Sequence, residues 1–178
     1  TPEKTRKWAT QILLGEEVTD LDGGKDPHKG YRSILIGPEP TLTACQNFEE
    51  EIKAISQWIE DLKKQNADKV ICVCLPTNKL RETYAAALAK SGLAVHEITD
   101  QHADIDDPNP IRLITAHRIK GLEFDDVCLA GSCSSNWKRT GLASKCLIHV
   151  ASTRTKNSLK ITSPTALSPM FETGAAKS

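Results

Sequence analysis

The chain has 178 residues, 39% of them hydrophobic, with 23 Lys and Arg against 23 Asp and Glu, which is the composition of one globular domain large enough to fold alone. No run of 18 apolar residues exists, and Thr1-Pro2-Glu3-Lys4 is not a basic start followed by an apolar stretch, so neither a membrane span nor a secretion signal is expected and the cytoplasm is the default location. Zero net charge argues against a nucleic-acid binder that works through bulk electrostatics, yet residues 1–110 carry 13 basic and 19 acidic side chains and residues 111–178 carry 10 and 4, so an anion-binding face is expected in the C-terminal third.

The first residue is not Met and charges in helical spacing follow at once, which reads as a piece of a longer protein. Residues 5–14 suit a short helix with Trp8 and Ile12 on one side, stopped by Gly15. Residues 16–40, rich in Gly, Pro and Asp, read as a long connection with one apolar island at 31–36. Residues 41–45 alternate weakly like a strand. Asn47 with Glu50 three positions on forms a capping box, after which Phe48, Ile52, Ile55, Ile59 and Leu62 share one helix face. The acids Glu49-Glu50-Glu51 near its start and Lys63-Lys64 near its end read as complements to the helix dipole, with no ligand assigned.

Residues 70–75 form an apolar run expected of a strand buried on both faces, followed by a helix over 78–91 ended by Gly92 and a strand over 93–98. Beyond an acidic loop at 104–110, residues 111–115 and 127–131 read as strands joined by a tight polar connection. A last helix over about 143–155, with Lys156 turned away into water, precedes a final strand at 158–162, a short helix and a frayed tail. The alternation predicts an α/β fold, a mostly parallel sheet with helices on both faces, of RecA or Rossmann-like type. The expected division is 1–40 as helix and lead-in loop, 41–165 as the main domain and 166–178 as helix and tail. The six cysteines include no C-x-x-C pair, so buried reduced thiols are expected and no metal site.

Ligands of open parallel sheets gather at the carboxyl ends of strands, which directs attention to Thr115-Ala116-His117-Arg118-Ile119-Lys120-Gly121-Leu122-Glu123-Phe124. Hydroxyl, imidazole and ammonium donors arrive here together with a glycine that permits close backbone approach, as phosphate binding needs, and Glu123 adds an acceptor suited to a sugar hydroxyl. A second cluster is His149-Val150-Ala151-Ser152-Thr153-Arg154, in which the guanidinium fork of Arg154 suits phosphate oxygens. A lone histidine is more often a hydrogen-bonded loop residue, and His28, His96, His102 and His149 are read as surface or packing residues. Lys138-Arg139 beside Trp137 reads as a loop tip, and Asp104, Asp106 and Asp107 do not complete a calcium loop.

Thr-x-His-x-x-Lys-Gly-Leu-Glu-Phe after a strand, then a hydrophobic strand, then Val-Ala-x-Thr-Arg before a strand, resembles motifs V and VI of UvrD/Rep-type superfamily 1 DNA helicases. The resemblance implies a second RecA-like domain that binds single-stranded or partly duplex DNA, closes over ATP with Mg²⁺ held mainly by a first RecA-like domain in cis, and belongs to DNA repair-type machinery. It implies that Thr115 and His117, with Lys120, contact the DNA backbone. It further implies that Gly121 and Glu123 approach the nucleotide, and that Arg154 reaches the γ-phosphate as the catalytic arginine. Many relatives insert a large accessory subdomain where this chain has only residues 99–110. No G-x-x-x-x-G-K-[ST] loop occurs, so the chain alone is expected to be inactive as an ATPase. The alternative is a non-catalytic helicase-like docking or DNA-holding module.

Overall fold

The computed structural model describes residues 1–14, 40–136, 148, 149 and 151–172. The long connection after Gly15, Trp137 with Lys138-Arg139, Cys146, most of the expected helix from 143 and the tail beyond 172 lie outside these residues. Its helices are α1 (Glu3–Leu14), α2 (Phe48–Gln65), α3 (Asn78–Lys90) and α4 (Pro169–Glu172). Its strands are β1 (Thr41–Ala44), β2 (Ile71–Leu75), β3 (Val95–Glu97), β4 (Ile111–Thr115), β5 (Phe124–Leu129) and β6 (Thr155–Ser163). The strands form one six-stranded sheet in the order β1-β6-β5-β2-β4-β3, and every pairing in it is parallel.

The central strand β2, flanked by β4 and β5, is buried at all five positions, as its unbroken apolar run requires. Side chains alternate between two cores. Ile71, Val73, Leu75, Leu113 and Cys128 meet Ile52, Ile55, Ile59 and Leu62 of α2 and Tyr84 and Leu88 of α3 on one face. Cys72, Cys74, Ile114, Val127, Leu129 and Ile161 meet Trp8 and Ala9 of α1, Ile119, Ile148, Ala151 and Phe171 on the other. Trp8 stacks on Phe171 with ring centroids 6.4 Å apart, which brings the two ends of the described chain to one side of the sheet.

Helix starts follow the sequence signals with one change. Asn47 Oδ1 accepts the Glu50 N–H at 2.9 Å, but the Glu50 carboxylate accepts from the Gln46 N–H at 3.1 Å rather than from Asn47, so the box closes one residue early. At the far end of α2 the Lys63 ammonium donates to the carbonyls of Ala67, Lys69 and Pro108 and ties the helix terminus to the acidic loop.

Three expectations are corrected. The chain is already strand at Thr155, the last helical residues being Ala151 and Ser152, so Lys156 is an exposed strand residue rather than one turned away around a helix. The reason is pairing: Thr155 is held in register with Phe124, and Leu159 and Ile161 continue the inward alternation along β6. For the same reason β5 begins at Phe124, earlier than its apolar run at 127 suggests. Most consequential, Glu51, read only as a complement to the helix dipole, is fully buried. Its carboxylate accepts from the Gly131 N–H at 2.9 Å, from the Thr162 hydroxyl at 2.8 Å and from the Tyr84 hydroxyl. A buried carboxylate is tolerable only with such a donor set. Burial foremost, and then the Glu51 charge, push the Tyr84 hydroxyl pKa up, so the phenol stays protonated and donates.

Residues 99–110 need no inserted domain to be held in place. Arg112 of β4 is 1% exposed, and its guanidinium pairs with Asp104 at 2.9 Å and donates to the carbonyls of Ile105, Asp107 and Pro110. The acidic loop is thus wrapped around one buried cation.

Candidate functional site

The candidate residues divide between the two ends of the sheet. Thr115 closes β4 and pairs with Leu75, the last residue of β2, whereas Asp126 pairs with Ile71, the first. Four steps of parallel strand span roughly 13 Å, and Glu123 lies earlier still. The residues that the resemblance assigns to two ligands are thus separated along the strands: residues 116–123 cross the sheet from its carboxyl edge to its amino edge, anchored midway by fully buried Ile119.

At the carboxyl edge β4 lies between β2 and β3, so its end is flanked by the residues that follow each of those strands. Together they line a cleft of about 990 Å³ that includes Thr115, His117, Arg118 and Lys120. Pro76 and Thr77 contribute from the β2–α3 turn, Asn78, Arg81 and Glu82 from the start of α3, and Thr99, Asp100, Gln101 and His102 from the loop after β3. Thr77 caps α3, its hydroxyl oxygen accepting the Leu80 N–H at 3.3 Å, so the positive end of the helix dipole faces this region. Thr115 is 8% exposed, while His117, Arg118 and Lys120 are exposed. Arg81 is bound by Glu97, Asn78 and Glu82, and Arg118 by Asp100. Lys120 has no ion-pair partner among the described residues. None of the described lining residues is Phe, Tyr or Trp.

At the amino edge the N–H of Phe124 donates to the carbonyl of Arg154 at 3.0 Å, which sets Glu123 and Arg154 side by side at the starts of β5 and β6. Glu123 is exposed and Arg154 half-buried. Gly121 has φ +86°, a left-handed value that disfavours any side chain, and a Cβ there would meet nothing within 4 Å. Gly121 therefore shapes the turn into β5. Beneath this edge Asp126 is fully buried, accepting from the Ser158 hydroxyl and paired with the Lys69 ammonium at 3.2 Å.

The structure thus brings Thr115, His117 and Lys120 together and Glu123 with Arg154, and separates the two sets. No group of three His, Cys, Asp or Glu able to hold a metal occurs among the described residues. Described cysteines 45, 72, 74, 128 and 133 are free thiols, and burial raises the pKa of Cys128 to about 12. His102, read from sequence as a surface or packing residue, and Gln101 share the cleft with His117; only the strand order that puts β3 beside β4 reveals this. Glu51 could have been found, because it stands three positions after Phe48 and four before Ile55 on the apolar face.

Residues 93–165 match the UvrD-like helicase C-terminal domain family. No curated protein sequence matches the chain. Among solved structures, the chain is similar to the C-terminal domain of a possible DNA helicase from Lactobacillus plantarum WCFS1, at 16% identity and a TM-score of 0.73, covering 95% of this chain and 89% of that one. Weaker likenesses are to domain 2 of the DEAD-box helicase Mss116p bound to an RNA duplex (17% identity, TM-score 0.47, 69% of this chain and 53% of that one) and to the Hef helicase domain of Pyrococcus furiosus (12%, 0.46, 63% and 24%). Family match and fold agree: residues 93–165 resemble the UvrD-like helicase C-terminal domain, and the whole described chain has a RecA-like α/β fold.

Proposed function

We propose that the chain is the second motor domain of an ATP-dependent DNA helicase, gripping one strand of DNA at the carboxyl edge of its sheet and one side of a nucleotide at the amino edge. The observation that carries this reading is the separation of the motif residues: residues 115–120 and residues 123 and 154 sit at opposite ends of the strands of one sheet. Such a layout lets a movement driven at one edge be felt at the other, which a translocating motor requires.

At the carboxyl edge the Thr115 hydroxyl, the His117 imidazole and the Lys120 ammonium would donate to phosphodiester oxygens, giving sequence-tolerant, salt-dependent binding. At the amino edge Glu123 would accept a ribose hydroxyl and Arg154 would donate its fork to the terminal phosphate. These two side chains fit one wall of a nucleotide site only. A phosphate-cradling glycine loop is absent from the sequence, so ATP and Mg²⁺ would be held mainly by a first RecA-like domain in cis. When bound between the two domains, ATP supplies the free energy of the stroke; this chain's part is to orient Arg154 from the start of β6 and to hold the strand meanwhile.

The test is DNA-stimulated ATP turnover by the intact gene product, wild type beside His117→Ala. Turnover that rises with added single-stranded DNA, and needs more DNA to saturate in the variant, supports the motor. Strand binding with no turnover would replace it with the DNA-holding module.

A further inference from the structure

We propose that Gln101 and His102, on the short loop between β3 and β4, form a second strand-contacting wall of the carboxyl-edge cleft. This rests on the reading of that cleft as the DNA groove and adds residues that the motif does not contain. Four observations carry it.

Gln101 and His102 line the same cleft as Thr115, His117 and Lys120. Both side chains are exposed and neither makes a hydrogen bond to another described residue, so an amide and an imidazole are presented to whatever enters. Their backbone is fixed: the Thr99 hydroxyl oxygen accepts the N–H groups of Gln101 at 3.2 Å and His102 at 3.1 Å, while the Thr99 N–H donates to the His102 carbonyl at 2.8 Å. The loop as a whole is tied down on both sides, by Arg112 gripping Asp104 and three carbonyls, and by Asp100 pairing with Arg118 of the connection that carries His117 and Lys120.

A preorganised wall contributes affinity because little ordering entropy remains to be lost on binding. The chemistry fits a single strand of nucleic acid. The lining offers three cations, Arg81, Arg118 and Lys120, against the carboxylates of Glu82 and Asp100, and its flat faces are imidazoles and guanidinium groups. Amide and imidazole on one side of such a groove can bond the edges of unpaired bases while hydroxyl and ammonium on the other hold phosphates.

The experiment measures binding of fluorescein-labelled oligo(dT) to the chain at low salt by anisotropy, for wild type, His102→Ala, Gln101→Ala and His117→Ala, with thermal melting as the folding control. Each single substitution in the loop is expected to raise Kd about three- to tenfold, the scale of one or two lost hydrogen bonds, with melting unchanged because the side chains are exposed. A normal Kd in both loop variants beside a weakened His117→Ala would overturn the second wall while leaving the groove intact. No binding by the wild type, or no effect of any of the three, would overturn the groove and the wall together. Mapping by ultraviolet crosslinking with 5-iodouracil-substituted oligo(dT) gives an independent readout: a crosslink on the peptide containing 101 and 102 is expected, and crosslinks confined to the 115–120 connection would count against the wall.

Discussion

Phe124 and Arg154 are joined by a backbone hydrogen bond of 3.0 Å, and through it a glutamate from one motif and an arginine from another become neighbours at the amino edge of the sheet. The pairing of Phe124 with Thr155 holds Arg154 at the start of β6, and the Arg154 N–H donates to the Ala151 carbonyl at 3.2 Å, so the strand and the helix end before it fix its position together. Any partner that closes on this edge meets both side chains at once.

Arg154→Ala in the intact gene product should lower DNA-stimulated ATP turnover by about 10³-fold with little change in nucleotide affinity, since an arginine in this role acts on charge that develops during transfer. Steady-state turnover beside equilibrium nucleotide binding separates the two. Normal turnover in the variant would remove Arg154 from the reaction.

Lys120→Ala should weaken oligo(dT) binding and reduce the slope of log K against log salt by about 0.7, the share of one phosphate contact on a single strand. Salt titrations of anisotropy supply the slope. A parallel shift with no change of slope would place the ammonium away from phosphate.

Glu51→Ala leaves the Gly131 N–H and the hydroxyls of Thr162 and Tyr84 without their shared acceptor in a fully buried site. Breaking such a set should cost about 3 kcal/mol or more in urea unfolding, against a smaller loss for Tyr84→Phe, which removes one donor and keeps the packing against Phe48. Equal losses would mean that the phenol carries the network.

Arg112→Ala should destabilise the fold by about 2–4 kcal/mol and loosen residues 104–110, because three carbonyls and the Asp104 carboxylate lose one common donor. Hydrogen exchange would locate the loosening. Arg112→Lys should recover only part of the stability, an ammonium lacking the fork that reaches all four acceptors.

Alkaline pH should destabilise the protein through its buried thiols. Burial raises the Cys128 pKa from 9.0 to about 12 and also raises those of Cys72 and Cys74, so the folded state holds these protons more tightly than the unfolded state. The stabilisation is fully present below pH 9 and is lost as pH rises from 9 toward 12. Urea midpoints across that range should fall, and Cys128→Ala should flatten the fall. In native protein at pH 8, half-buried Cys45 should alkylate ahead of the other described cysteines.

What the sequence by itself determined is local and periodic: the apolar face of α2, the buried run of β2, the Asn47 cap, the α/β alternation, and the motif residues that carry the family likeness. These are legible because a helix face or a strand's alternation is written within a dozen consecutive residues. The tertiary structure decided what depends on residues far apart in the chain. Pairing with Phe124 made a strand residue of Thr155, expected to end a helix, and the span of 116–123 across the sheet set the distance between the two groups of motif residues. Glu51 is buried because its donors come from Tyr84, Gly131 and Thr162, three separate elements that only the completed fold brings within hydrogen-bonding distance. Gln101 and His102 belong to the cleft because strand order puts β3 beside β4. Local spacing specifies which side of an element is apolar; which polar groups then meet across that side depends on chain closure, and no short stretch of sequence encodes it.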